Sequence, residues 1–423
     1  MYLSGSKWQM RKRRRRSNPW RVLLLILLVA GAIYIWRVYV PEAQPLFVPT
    51  PTVTRSPASF VLEAESLFQA GKLEQAEAAY EQAISVNPRE VSYYIELARL
   101  RVFAGKYGAA ETAARDALVI EPDSALAHAL LGWALDFQAS QAAEDATRLE
   151  LLLEALSEVE RAYELNSSDA RVLAFYAEVM VDYDIDRYEE ARDLAERAVG
   201  LDGSILETHR ALGYVWEVTG NRELALESYE IARAINANLP RLHIDVGNMQ
   251  RALGDVRAAI DSYLKAVALS PTSTEPLILI ANALAGIGEF GEASQYAKQA
   301  VDLEPANPRL RGNLGRMYYH NAVYNEAIFQ LELAIRGGTA EEGTFVEGLP
   351  LNPADARVVE FYYTFGLALA KQDRCAEAIP IFEALLRGVP EDEIAVFNAQ
   401  EGLILCGQLE RTPTPEAEAT PSS

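Results

Sequence analysis

The chain is poor in the residues from which reactive and metal sites are made. Of its 423 residues two are cysteine, Cys375 and Cys406, and four are histidine. Two cysteines are too few for a fold built on disulfides. His128, His209 and His243 sit at equivalent, widely separated places in the chain, and His320 has no evident partner, so no metal site assembles from them. No P-loop, H-E-x-x-H or nucleophile elbow is present. Residues 286–291, GIGEFG, spell G-x-G-x-x-G, but a helical run and not a strand precedes them, so they read as a turn. The glutamates lie mostly on solvated helix faces. No catalytic residue, metal or cofactor is expected, and no small-molecule substrate.

Acidic residues are missing from the first forty positions. Lys7, Arg11 to Arg16, Arg21 and Arg37 give this segment a charge of +9; since the whole chain is −21, residues 41–423 carry −30. A body this acidic repels phosphate backbones, which excludes nucleic acid as a partner of the main part of the chain.

One long uncharged run exists, Val22 to Trp36. At ~1.5 Å per residue it spans roughly 22 Å, and extension to Val40, with Arg37 snorkelling outward, gives roughly 28 Å against a ~30 Å hydrocarbon core. Trp20, Trp36 and Tyr39 flank it as interfacial aromatics do. The expectation is a single-pass anchor over residues 22–40 in the cell membrane. Residues 1–21 would be cytoplasmic by the positive-inside rule, and everything after the span extracytoplasmic. A cleaved signal peptide competes with this reading, although Tyr39 to Ala43 make a poor cleavage site, and so does a buried core helix.

Residues 41–57 hold five prolines and read as a semi-rigid linker; residues 410–423 read as a disordered tail. Between them the sequence repeats. Ala76, Ala110, Ala155, Ala191, Ala225, Ala259, Ala293, Ala327 and Ala378 recur at steps of 34, 45, 36, 34, 34, 34, 34 and 51. A second alanine follows seven residues later in eight units, from Ala83 to Ala334, with Leu385 in the ninth. Gly71, Gly105, Gly220, Gly254 and Gly288 mark turns, and Pro88, Pro122, Pro271, Pro305 and Pro390 stop helices. Small residues at such places let two helices approach closely.

With Leu212-Gly213, Trp216, Gly220, Ala225, Tyr229 and Ala232 in the fifth unit, and Gly247, Gly254, Ala259, Tyr263, Ala266 and Pro271 in the sixth, the chain resembles the tetratricopeptide-repeat family, whose unit is a 34-residue helix–turn–helix. The resemblance implies an all-α solenoid of about nine helical hairpins over residues 58–409, closed by a capping helix. Insertions fall near 139–150 and 337–355, and the second, rich in glycine, is expected to project as a long loop or a short hairpin. In the family, first helices line a concave face. The matching positions here hold Arg210, Tyr214, Arg241, Asn248, Arg251, Asn282, Arg309, Arg316, Tyr319 and His320, an excess of Arg, Asn and Tyr within an acidic body. Asn can bond a peptide backbone and Arg a carboxylate.

The resemblance thus implies a membrane-anchored scaffold that binds a protein or peptide partner in its groove and is not an enzyme. A non-catalytic regulatory subunit of a cell-envelope enzyme or export complex fits as well, as does a cytoplasmic adaptor if the topology is inverted. Because successive helices of such a solenoid run antiparallel, Cys375 at the start of one helix and Cys406 near the end of the next should lie level, and a disulfide between them is expected if the repeats are exported.

Overall fold

The computed structural model describes residues 18–38, 55–142 and 144–410. The basic residues 1–17, linker residues 39–54 and the tail from 411 on lie outside the described residues. The chain divides into two units at Arg55 and Ser56. In the first, helix α1 (Pro19–Val38) is apolar on every side from Val22 to Trp36 and exposed from Pro19 to Arg37, which in an isolated helix leaves its surface to lipid or to other protein. Residues Pro19–Arg37 are long and apolar enough to cross a membrane.

The second unit is a succession of helical hairpins: α2 (Pro57–Gln69) with α3 (Leu73–Val86), α4 (Val91–Phe103) with α5 (Tyr107–Ile120), and α6 (Ala125–Gln141) with α7 (Asp145–Leu165). Next come α8 (Ala170–Tyr183) with α9 (Tyr188–Leu201), α10 (Leu206–Val218) with α11 (Arg222–Ile235), and α12 (Pro240–Ala252) with α13 (Val256–Leu269). Three more follow, α14 (Glu275–Gly286) with α15 (Phe290–Leu303), α16 (Pro308–His320) with α17 (Tyr324–Arg336), and α18 (Ala356–Lys371) with α19 (Cys375–Gly388), and α20 (Glu393–Leu405) ends the stack. The nine hairpins coincide with the nine units marked by alanine.

The spacing of small residues explains the pairing. Ala225, Ala232, Ala259 and Ala266 are fully buried where second helices meet first ones. A methyl group on Gly213 would stand 2.8 Å from the Tyr229 ring, and one on Gly247 2.5 Å from the Tyr263 ring, so each tyrosine lies flat on a glycine of the facing helix. The turn glycines take φ between +72° and +90°; in the last two hairpins Ala322 and Asp373 hold the same left-handed place. Between hairpins a second device recurs. The fourth residue of a unit bonds the carbonyl six residues before it: Tyr94 to Pro88, His128 to Pro122, His209 to Gly203, His243 to Ala237 and Arg311 to Pro305, at 2.8–3.1 Å. Three of the four histidines are therefore inter-repeat clasps.

The insertions are both ordered. Near 139–150 the extra residues lengthen α6 and α7, to 17 and 21 residues against 12–14 in the hairpins around them. Residues 337–355 form a short hairpin with an exposed tip, and the stretch after it folds back on the solenoid, where a projecting loop was expected. A two-stranded hairpin, β1 (Gly338–Thr339) against β2 (Phe345–Val346), buries Val346, and the Leu349 amide donates to the Ala334 carbonyl at 2.8 Å. Leu349 and Leu351 then pack on the core of the ninth hairpin. These apolar side chains favour folding back over solvent.

The first six hairpins close on themselves. One continuous hydrophobic core runs from Ala64 to Leu242. The first hairpin meets the link between α11 and α12: Asn238 Nδ2 donates to the Gln69 carbonyl at 2.8 Å and Asn236 Nδ2 to that of Phe68 at 3.4 Å. Gly71 fits there because any side chain would overlap the Asn238 carbonyl. Arg99 of α4 pairs with Glu207 of α10, and Glu96 with Arg171 of α8 at 3.0 Å. A cavity of about 450 Å³ lies along this seam, between the α4–α5 turn and the starts of α12 and α14.

Candidate functional site

The concave face has two unlike halves. In hairpins two to six the inward-facing residues of first helices meet across the closed turn and form a charged core. Arg210, 2% exposed, donates to both oxygens of Glu178 at 2.6–2.7 Å, and its Nε lies 3.4 Å from Asp245. Glu178 also accepts from Trp133 Nε1 at 2.7 Å. The Arg210 guanidinium covers the Phe137 ring at 5.1 Å, Arg241 covers it at 5.5 Å, and Tyr107 stacks on it at 4.8 Å. Arg241 in turn pairs with Asp245 at 2.8 Å, and Tyr214 donates to Asp182 at 2.6 Å.

Burial sets the charges in this core. It works against the cations, but Glu178 and Asp245 outweigh it at Arg210, and Glu207 and Glu96 do so at Arg99, so both stay protonated. Burial, followed by the charges of Asp182 and Glu178, pushes the Asp136 carboxyl well above its ordinary range. Burial likewise raises Asp182, whose hydrogen bonds from Tyr214 and Asp136 favour its ionised form. Burial and the neighbouring carboxylates thus favour the neutral form of Asp136 beside Asp182.

Several of the expected groove residues therefore serve the closed turn. Arg210 faces the core and not solvent, contrary to expectation, because the turn brings Glu178 and Asp245 against it. Tyr214 and Arg241 are tied into the same network. Asn248 is half-buried and accepts from Tyr263 at 2.8 Å, while Arg309 is exposed and paired with Asp355 at 2.6 Å.

The open half begins at α12. Arg251, Asn282, Arg316 and His320 line one pocket of about 500 Å³ together with Phe290 and Arg357. Arg316 reaches Asn282 at 2.6 Å and Glu360 at 3.5 Å, and Glu360 also pairs with Arg357. Arg316 Nε is buried without a hydrogen-bond partner. Burial, ahead of attraction from Glu360, draws its guanidinium below the ordinary range, and burial with the charge of Arg316 does the same for His320, which lies on Phe290 at 4.9 Å. Tyr319 is half-buried beside this pocket.

The tetratricopeptide-repeat family profile matches residues 67–134, across the first three hairpins, and a second profile of the same description matches residues 278–341, across the seventh and eighth. The chain carries tetratricopeptide repeats in both stretches. A solved structure of a thermophilic tetratricopeptide-repeat protein from Thermus thermophilus is similar at 19% identity and a TM-score of 0.31, over 54% of this chain and all of that one. No curated protein matches the chain.

Further along this tetratricopeptide-repeat array, the groove positions of the last units were left out of the sequence reading. Counting by repeat, Ile394, Phe397 and Leu405 of α20 stand where Arg309, Gly312 and His320 stand in α16. All three are exposed, Ile394 by 64% and Phe397 by 62%. The signal was the repeat register itself, carried one helix beyond the ninth unit. At the same end Cys375 and Cys406 are joined, with Cα atoms 5.5 Å apart. Among the described residues no cluster of His, Cys, Asp or Glu could hold a metal ion.

Proposed function

We propose that this tetratricopeptide-repeat protein is a membrane-anchored scaffold that holds a partner protein in the open groove of α12 to α20, with no catalysis of its own. The observation that carries the reading is the contrast between the two halves of the concave face. One is filled by its own side chains, while the other keeps a pocket with three guanidiniums and a buried, unpartnered Arg316 Nε. The exposed apolar helix α1 and the basic residues before it support anchoring with the array outside the cytoplasm. In that compartment the Cys375–Cys406 bridge would persist and hold α20 in place.

Two experiments test this. A phosphatase fused after Ser56 should be active; an inactive fusion beside a fluorescent green-fluorescent-protein fusion reverses the topology. A photo-crosslinking amino acid at Tyr319 should capture a protein in native membranes, and one at Val119, exposed on α5, should not. Equal capture from both positions, or none from Tyr319, removes the groove from the reading.

A further inference from the structure

The open groove is chemically polarised along its length. Toward α12 it is cationic: Arg251, Arg316 and Arg357 surround a pocket whose lining holds no acid among the described residues, and the nearby carboxylate of Glu360 answers two of the three guanidiniums. This lies in a body of charge −30, where general solvation would place acids. Toward α20 the groove is apolar, with Ile394, Phe397 and Leu405 exposed on one helix. Terminal helices of solenoids are usually polar outside, since nothing stacks on them. Residues 411–423, RTPTPEAEATPSS, contain no large apolar side chain that would cover these three.

We propose that the groove, read above as the partner site, takes a segment of another protein with acidic side chains at one end and large apolar side chains at the other. The acidic end enters the arginine pocket, where a carboxylate would meet the exposed guanidiniums of Arg251 and Arg357 beside Arg316. The apolar end covers Ile394, Phe397 and Leu405. The spacing follows from the packing. α16 contacts α18 and α18 contacts α20, and two steps at ~8–10 Å between helix axes make roughly 16–20 Å. An extended chain at ~3.3 Å per residue covers that in about five or six residues. Tyr319 on α16 and Tyr363 on α18 are both half-buried.

The test uses the full chain in detergent and a fluorescein-labelled peptide with two glutamates, a five-residue Ser/Thr spacer and a Leu-Phe pair, read by anisotropy. Its controls replace the glutamates by glutamine, the Leu-Phe pair by serines, or shorten the spacer to one residue. The matched peptide should bind at least tenfold tighter than each control. Arg251→Glu should abolish the distinction between glutamate and glutamine peptides, and Phe397→Ser that between Leu-Phe and Ser-Ser peptides. Both replaced side chains are exposed, so the circular dichroism of each variant should match that of the parent chain. Equal affinity for all peptides, or discrimination that survives Arg251→Glu, overturns the proposal. If crosslinking from Tyr319 still captures a protein while the peptides bind alike, the groove stands and only its bipartite preference falls. If neither probe binds, the partner site itself falls.

Discussion

Replacing Arg210 by methionine tests the closed turn directly. The substitution keeps length and apolar volume over Phe137 but removes the one cation that touches both Glu178 and Asp245. Glu178 retains only its Trp133 bond, and Asp245 retains Arg241. Breaking a buried ion pair from one side costs about 3–5 kcal/mol, because the remaining carboxylate must stay charged without a partner or take up a proton. At ~2.1 cal/mol/K per residue, the block of the first six hairpins, residues 57–269, has an unfolding entropy of about 0.45 kcal/mol/K, so its melting temperature should fall by about 7–11 °C. Differential scanning calorimetry measures this. Arg251→Met is the control: Arg251 is exposed, and its loss should move the transition by less than about 1 °C. The double variant Arg210→Met/Glu178→Gln, which removes the pair together and leaves Asp245 to Arg241, should recover most of the loss. A single Arg210→Met variant that melts within about 1 °C of the parent would refute the buried network, and with it the closure of the turn.

Gly71→Val should open the seam, since its side chain overlaps the Asn238 carbonyl and φ is +72°; amide exchange in α2, α3 and the α11–α12 link should rise at least tenfold while α16 to α19 stay protected, and unchanged exchange would count against the contact. Asp136→Asn tests the neutral carboxyl. The folded pKa of Asp136 is raised, so the stability linked to its neutral form is complete below the ordinary carboxyl range of about 4 and is lost as pH rises through the folded value. A permanently neutral amide at position 136 should therefore raise the melting temperature more at pH 8 than at pH 5, and an equal effect at both would remove the pair.

The hairpins are legible in the sequence because each is fixed by local chemistry. Gly213 against Tyr229, a left-handed turn at Gly220 and alanines seven residues apart all act within one unit, so their spacing survives in the chain as a period. The meeting of Cys375 and Cys406 is legible for the same reason, as successive helices lie side by side. Closure of the first six units is not. It depends on small angles summed over several repeats, and no single unit records it. Its trace is chemical: Arg99, Asp136, Glu178, Asp182, Glu207 and Arg210 stand at groove positions beside Trp133 and Phe137, which looks like a solvated face until the opposite charges are set across from one another. The segment 337–355 misleads through its glycines, which argue for a loop; Val346, Leu349 and Leu351 carry the opposite message.

The seam between the first hairpin and the α11–α12 link also changes how the array comes apart. An open solenoid behaves as a row of neighbours, each unit held by the one before and the one after, and it melts from its ends. A row whose first member also clasps the link before its sixth has no free end on that side. Unfolding the first hairpin then breaks the Asn236 and Asn238 bonds and exposes the Arg99–Glu207 pair, so its loss is felt five units away. Hairpins one to six should unfold as one block of near-uniform protection, whereas the later hairpins should loosen stepwise from α20 inward, with the cysteine bridge as their stop. Deleting α2 and α3 would cost far more than deleting a hairpin from the middle of an open row. Assembly has the matching asymmetry: the ends of this block are separated by about 170 residues of chain, so the clasp forms late, after the units between have stacked and brought its two halves together.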